Sequence, residues 1–214
     1  MNRPTARLDI VGEKVRAYFA TEDSAREKGL ELSREAIRFS ANAIRAVHRG
    51  EFDQARELIG SARANVEGMN RTLAKHGELF YGGFVHNGQK EYAEACITLA
   101  LVAGETLPDP DELGISYAAY LNGLGEAAGE LRRHLLDILR KGEIGRCEEI
   151  LEAMDDIYSL LVTIDYHDAL TGGLRRTTDM VRGVLERTRG DFTVSLRQKE
   201  LEEKLEDFST RFDR

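Results

Sequence analysis

Apolar residues recur along this chain at intervals of three and four, and nowhere do they alternate over a strand-length stretch. The pattern predicts an all-α fold of about seven helices in one domain. A first short helix is expected over residues 3–20, with Leu8, Val11, Val15, Tyr18 and Phe19 on its apolar side. Thr21-Glu22-Asp23-Ser24 reads as a stop followed by a new N-cap. The next helix runs to about Arg49, with Leu32, Ala36, Ile37, Phe39, Ala43, Ile44 and Val47 inward and Gly50 as its C-terminal cap. Further helices are expected over 51–75, 91–104, 114–141 and 143–165, and from about 168 to Arg189. The break at Leu107-Pro108-Asp109-Pro110-Asp111 reads as a surface loop within the domain. From Thr193 the chain turns strongly charged, so residues 1–192 are taken as the domain and 193–214 as a loosely attached helical tail.

Two of these helices carry acids where a core face would carry apolar residues. Glu91 and Glu94 sit roughly 60° apart on one helix, and Glu126 and Glu130 roughly 40° apart on another. Gly123 and Ala119 lie one and two turns before the second pair, small enough to admit a close neighbour. If the helices pack side by side, four carboxylates converge, and they repel unless protonated or bridged by a cation. Oxygen-only ligands suit magnesium or manganese. Spacing alone leaves the other reading open, in which these are solvated glutamates on two amphipathic helices. His134, one turn after Glu130, could join such a site or simply face solvent.

Composition narrows the classes. A hydrophobic share of 42% with 32% charged residues is that of a folded helical protein rather than a disordered one. No apolar run approaches the roughly 18 residues of a membrane span, and the N-terminal stretch lacks the apolar core of a signal peptide. A cytoplasmic protein with no membrane partner is expected. Cys96 and Cys147 fall in apolar helical patterns and read as buried thiols. A net charge of −8 argues against an overall basic nucleic-acid binder but not against a local basic surface. Arg34, Arg38, Arg45 and Arg49 fall within roughly 60° of one another, a row that could track a phosphate backbone or pair with Glu31 and Glu35. Residues 76–90 are rich in glycine and aromatics. Phe80, Tyr81, Phe84, His86 and Lys90 could stack and bond single-stranded nucleic acid, or plug the core as a helix connection. There is no P-loop, no Glu-x-x-His pair and no serine-hydrolase signature.

Four stretches in order resemble one known family: GLELSREAIRFSANAIRAVHRG, QKEYAEA, YLNGLGEAAGELRRHLLDILRKG and LTGGLRRTTDMVRGVLERTRGDF. Between about Arg26 and Phe192 the chain is similar to the translin family, on its translin-associated factor X side and in a short single-gene archaeal form. The resemblance implies an all-helical subunit of a hollow, roughly octameric homo-oligomeric shell. It implies a metal-dependent endoribonuclease acting on single-stranded RNA, whereas the plain translin branch binds RNA or single-stranded DNA with weak catalysis or none. Glu91 and Glu94 match the family's E-Y-x-E motif, and Glu130 matches its last acid. Glu126 stands where eukaryotic catalytic subunits carry Asp, one methylene longer. These four would serve as catalytic and Mg²⁺- or Mn²⁺-binding residues. Arg34, Arg38, Arg45, Arg49, His86 and Lys90 would be RNA contacts.

Overall fold

The computed structural model describes residues 5–212. Six long helices carry the fold: α1 (Leu8–His48), α2 (Phe52–Leu73), α4 (Gly83–Ala103), α6 (Tyr117–Leu139), α7 (Ile144–Thr163) and α9 (Leu174–Phe212). Single turns α3 (Gly77–Phe80), α5 (Pro110–Leu113) and α8 (Asp168–Thr171) punctuate the connections. α1 and α2 form a hairpin on one side of α4, and α7 and α9 form a pair on the far side of α6. The two acid-bearing helices, α4 and α6, therefore pack against each other at the centre. Both helices contribute to the largest apolar cluster, α4 through Tyr92, Ala93 and Ile97 and α6 through Ala127, Ala128 and Leu131. The connection at Pro108–Asp111 ends in a capping box, with Asp109 accepting from the Glu112 amide and Glu112 accepting from the Asp109 amide.

Three expectations are corrected. The stop at Thr21–Ser24 does not form: α1 runs unbroken for 41 residues, about 60 Å. The Thr21 hydroxyl donates to the Ala17 carbonyl 3.1 Å away, so it is satisfied inside the helix instead of capping a new one. Along this first half, Leu8, Val11, Val15, Tyr18 and Phe19 are about half exposed rather than buried; residues 3 and 4 of the expected helix lie outside the described residues. Second, the helix expected from Glu91 starts at Gly83, because Gly82 adopts an extended conformation and Gly88 fits against Ser33 on α1. Phe84, His86 and Lys90 are thus helical residues. Phe80 and Phe84 plug a side cluster around Met69, Leu73 and Val85, while Tyr81 is exposed. Third, α9 continues through the tail to Phe212 without a break. Leu160 and Met180, though on apolar-patterned helices, are exposed, whereas Cys96 and Cys147 are buried.

Candidate metal centre and adjoining groove

The meeting of α4 and α6 is set by one missing side chain. A Cβ on Gly123 would lie 2.7 Å from the Lys90 carbonyl oxygen and 2.8 Å from the Ala93 Cβ. Backbone-to-backbone contact at this point draws residues 90–94 of α4 against the start of the acidic turn of α6. One carboxylate oxygen from each of Glu91, Glu94 and Glu126 then falls within 4.8 Å of the others.

The three acids differ in surroundings. Glu94 is 9% exposed, and burial together with the charges of Glu91, Glu126 and Glu130 pushes its carboxyl up to about 8. Glu91 and Glu126 are partly exposed and share the Lys90 ammonium, whose Nζ lies 2.7 Å from Glu126 Oε1 and 3.4 Å from Glu91 Oε1. Burial lowers the proton affinity of Lys90, but those two carboxylates outweigh it and raise the ammonium above its ordinary range. Repulsion within the cluster is thereby relieved twice, by the proton Glu94 keeps and by Lys90.

Glu130 is not among these three convergent groups. Its Oε2 accepts from Nε2 of His48, 2.5 Å away, and this hydrogen bond holds the carboxyl below the usual carboxylate range. The His48 side chain is 5% exposed, and its Nδ1 is buried without a partner. His48 was missed by sequence reading: it belongs to α1, 82 positions from Glu130, and no local spacing links them. His134 is half-buried, and burial depresses its imidazole below the ordinary range; it does not join the acids.

The predicted basic residues divide into two sets. Arg34, Arg38, Arg45 and Arg49 are exposed on the outer face of α1. Arg38 pairs with Glu35 and lies over the Phe39 ring, Arg45 donates to Asn42, and Arg49 donates to Glu51. None of the four lines the acid cluster. Lys90 pairs directly with two of the acids, and His86 lines with it an open groove of about 880 Å³ that includes Glu126. The groove's far wall comes from residues that the sequence did not single out as site residues: Asn122, Asp168, Arg176 and Thr177. Asn122 builds it by donating to the Thr171 carbonyl at 2.7 Å and accepting from the Thr177 hydroxyl at 2.6 Å. Two other arginines of α9 are committed elsewhere, Arg175 to Asp165 and Arg189 to Asp155.

This fold is shared with solved structures. The AfC3PO–duplex RNA complex superposes with a TM-score of 0.81 at 30% identity, covering 87% of this chain and 96% of that one. AfC3PO alone gives 0.80, again at 30% identity and over 97% of its length. An uncharacterized protein of Methanocaldococcus jannaschii is 32% identical over 190 residues, 88% of this chain and 84% of that protein. The chain belongs to the translin family, as a Trax-like archaeal member. The translin-type fold extends further: apo-NeC3PO gives a TM-score of 0.72 at 20% identity over 89% of this chain, a likeness of fold alone. No protein-family model matches the chain. Among the described residues no helix is long and apolar enough to cross a membrane.

Proposed function

We propose that this translin-family protein is a divalent-cation-dependent endoribonuclease that cleaves single-stranded RNA in the cytoplasm inside a homo-oligomeric, octamer-like shell. The observation that carries the reading is the convergence of Glu91, Glu94 and Glu126 within 4.8 Å. Three carboxylates with no histidine or thiol among them form a hard oxygen donor set, which fits Mg²⁺ and admits Mn²⁺. Glu130, one turn beyond Glu126, is the fourth acid, oriented by His48 as outer partners orient ligands elsewhere. A cation held there supplies Lewis acidity toward a phosphate oxygen and acidifies a water. Glu94 or Glu126, both beside the bound water in this reading, would take that water's proton. Lys90 stands beside the acids as a charge for the phosphate. Such a hydrolysis leaves 5′-phosphate and 3′-hydroxyl ends, since it does not use the 2′-hydroxyl.

The structural likeness to AfC3PO, whose complex contains duplex RNA, supports RNA as the polymer. One observation favours a second reading, a non-catalytic assembly binding RNA or single-stranded DNA: Lys90 forms ion pairs with both Glu91 and Glu126. A single assay separates the two. Purified protein is incubated with labelled single-stranded RNA, duplex RNA and single-stranded DNA, in Mg²⁺ and in EDTA. Mg²⁺-dependent cutting of the single-stranded RNA supports the nuclease, and binding without cutting in Mg²⁺ and in Mn²⁺ overturns it.

A further inference from the structure

The groove beside the acids has a construction of its own. Its floor is the first two turns of α4, and its far wall is the Gly172-Gly173 turn with the start of α9. Both glycines have positive φ, 63° and 83°. Gly172 is also where the His86 ring is seated, since a Cβ there would lie 2.7 Å from His86 Cε1. The wall is thus folded tightly against α4 at its base while the groove stays open above. Its volume of about 880 Å³ falls within the roughly 300–1,000 Å³ of sites for small ligands.

The lining is divided by chemistry. Phe84 and Met180 supply apolar surface, with Met180 37% exposed. His86, Asn87 and Thr177 supply hydrogen-bonding groups between them. Lys90 and Glu126 close the inner end, where the groove meets the acid cluster. At the mouth stands Arg176, exposed and forming no ion pair among the described residues, although Asp168 shares the lining. An unpaired guanidinium presents a planar fork of donors suited to a phosphate.

The geometry points to a nucleotide subsite: the groove receives the nucleotide next to the scissile phosphate of an unpaired RNA strand, its base against Phe84 and Met180 and its outer phosphate on Arg176. This rests on the nuclease reading for the position of the scissile bond, but not for binding itself. The acids are anionic and repel the polymer, so the strand needs attachment points on either side of them, and on this side Arg176 offers a guanidinium without an ion pair among the described residues. Arg34, Arg38, Arg45 and Arg49 lie outside the groove.

The test is anisotropy titration of a short fluorescein-labelled oligouridylate, in EDTA so that no cleavage occurs, over a series of salt concentrations. Arg176→Ala and Met180→Glu alter exposed side chains and leave the fold intact, as far-ultraviolet circular dichroism checks. Arg176→Ala is expected to bind about tenfold more weakly, the loss of one charge-assisted contact, with a log–log salt slope smaller by about one unit. Met180→Glu should also weaken binding, by placing an anion beside the base and phosphate. Wild-type affinity and slope in Arg176→Ala would overturn the subsite even if Mg²⁺-dependent cleavage is intact. Weakened binding by both variants, in a protein that never cleaves RNA, would keep the subsite and remove the nuclease. Failure of the wild type to bind the oligonucleotide at all would remove both.

Discussion

Glu94→Gln should make the protein more stable at pH 8 while eliminating its chemistry. In the folded protein the Glu94 carboxyl titrates at about 8, against 4.5 as its ordinary value. Between these values the folded state holds a proton that the unfolded chain has released, so stability falls as pH rises through the window. Below 4.5 both states are protonated and the difference vanishes. From pH 5 to pH 8 the loss is on the order of 4 kcal/mol, at about 1.4 kcal/mol per pH unit. In a chain of this length that corresponds to a fall in melting temperature of about 10 °C. Glutamine keeps the size of the neutral acid and cannot ionise, so the variant should lose most of this slope. The assay is thermal unfolding by circular dichroism in EDTA, at pH 5 and pH 8, for both proteins at one fixed concentration. Adding Mg²⁺ at pH 8 should then raise the wild-type melting temperature and leave the variant unmoved. A wild type as stable at pH 8 as at pH 5, or a variant with the same slope, would refute the buried-acid reasoning.

The remaining predictions concern the other acids and the basic row. Glu91→Ala and Glu130→Ala should each abolish RNA cleavage in Mg²⁺, measured on denaturing gels. They should part in stability: Glu91→Ala changes the melting temperature little, because Lys90 retains Glu126, whereas Glu130→Ala strands the buried His48 donor and costs about 1–3 kcal/mol. Glu126→Asp should keep cleavage, since it retains the charge at the position where eukaryotic subunits of the family carry Asp; complete loss would show that the longer side chain is built into the site. Replacing Arg34, Arg38 and Arg45 with Ala should lower the salt slope of RNA binding by about one unit for each phosphate contact removed. An unchanged slope would assign that row to another task.

Much of this fold was legible because helix periodicity survives in a single sequence. The 3.6-residue pattern located the long helices, and the glycines at 50 and 142 marked two of their ends by adopting positive φ. The acids on α4 and α6 were legible for the same reason, since two motifs placed each pair on one face. The false stop at Thr21 shows the limit of local signals: its hydroxyl can cap a new helix or bond back within the old one, and only the surrounding chain decides. The start of α4 was misplaced because a glycine-rich stretch resembles a loop until Gly88 is seen against Ser33. His48 and Arg176 were quoted within similar stretches but not singled out, because each meets the site from a helix distant in sequence.

The contact at Gly123 has a consequence for the mechanics of the centre. With the α6 backbone resting on the Lys90 carbonyl and the Ala93 methyl group, the two helices stand at their distance of closest approach there. The acid cage consequently has a hard inner stop and no equivalent outer one. Were the acids to hold a cation as proposed, side-chain rotation rather than a closer approach of the two helices would have to draw their oxygens in around it.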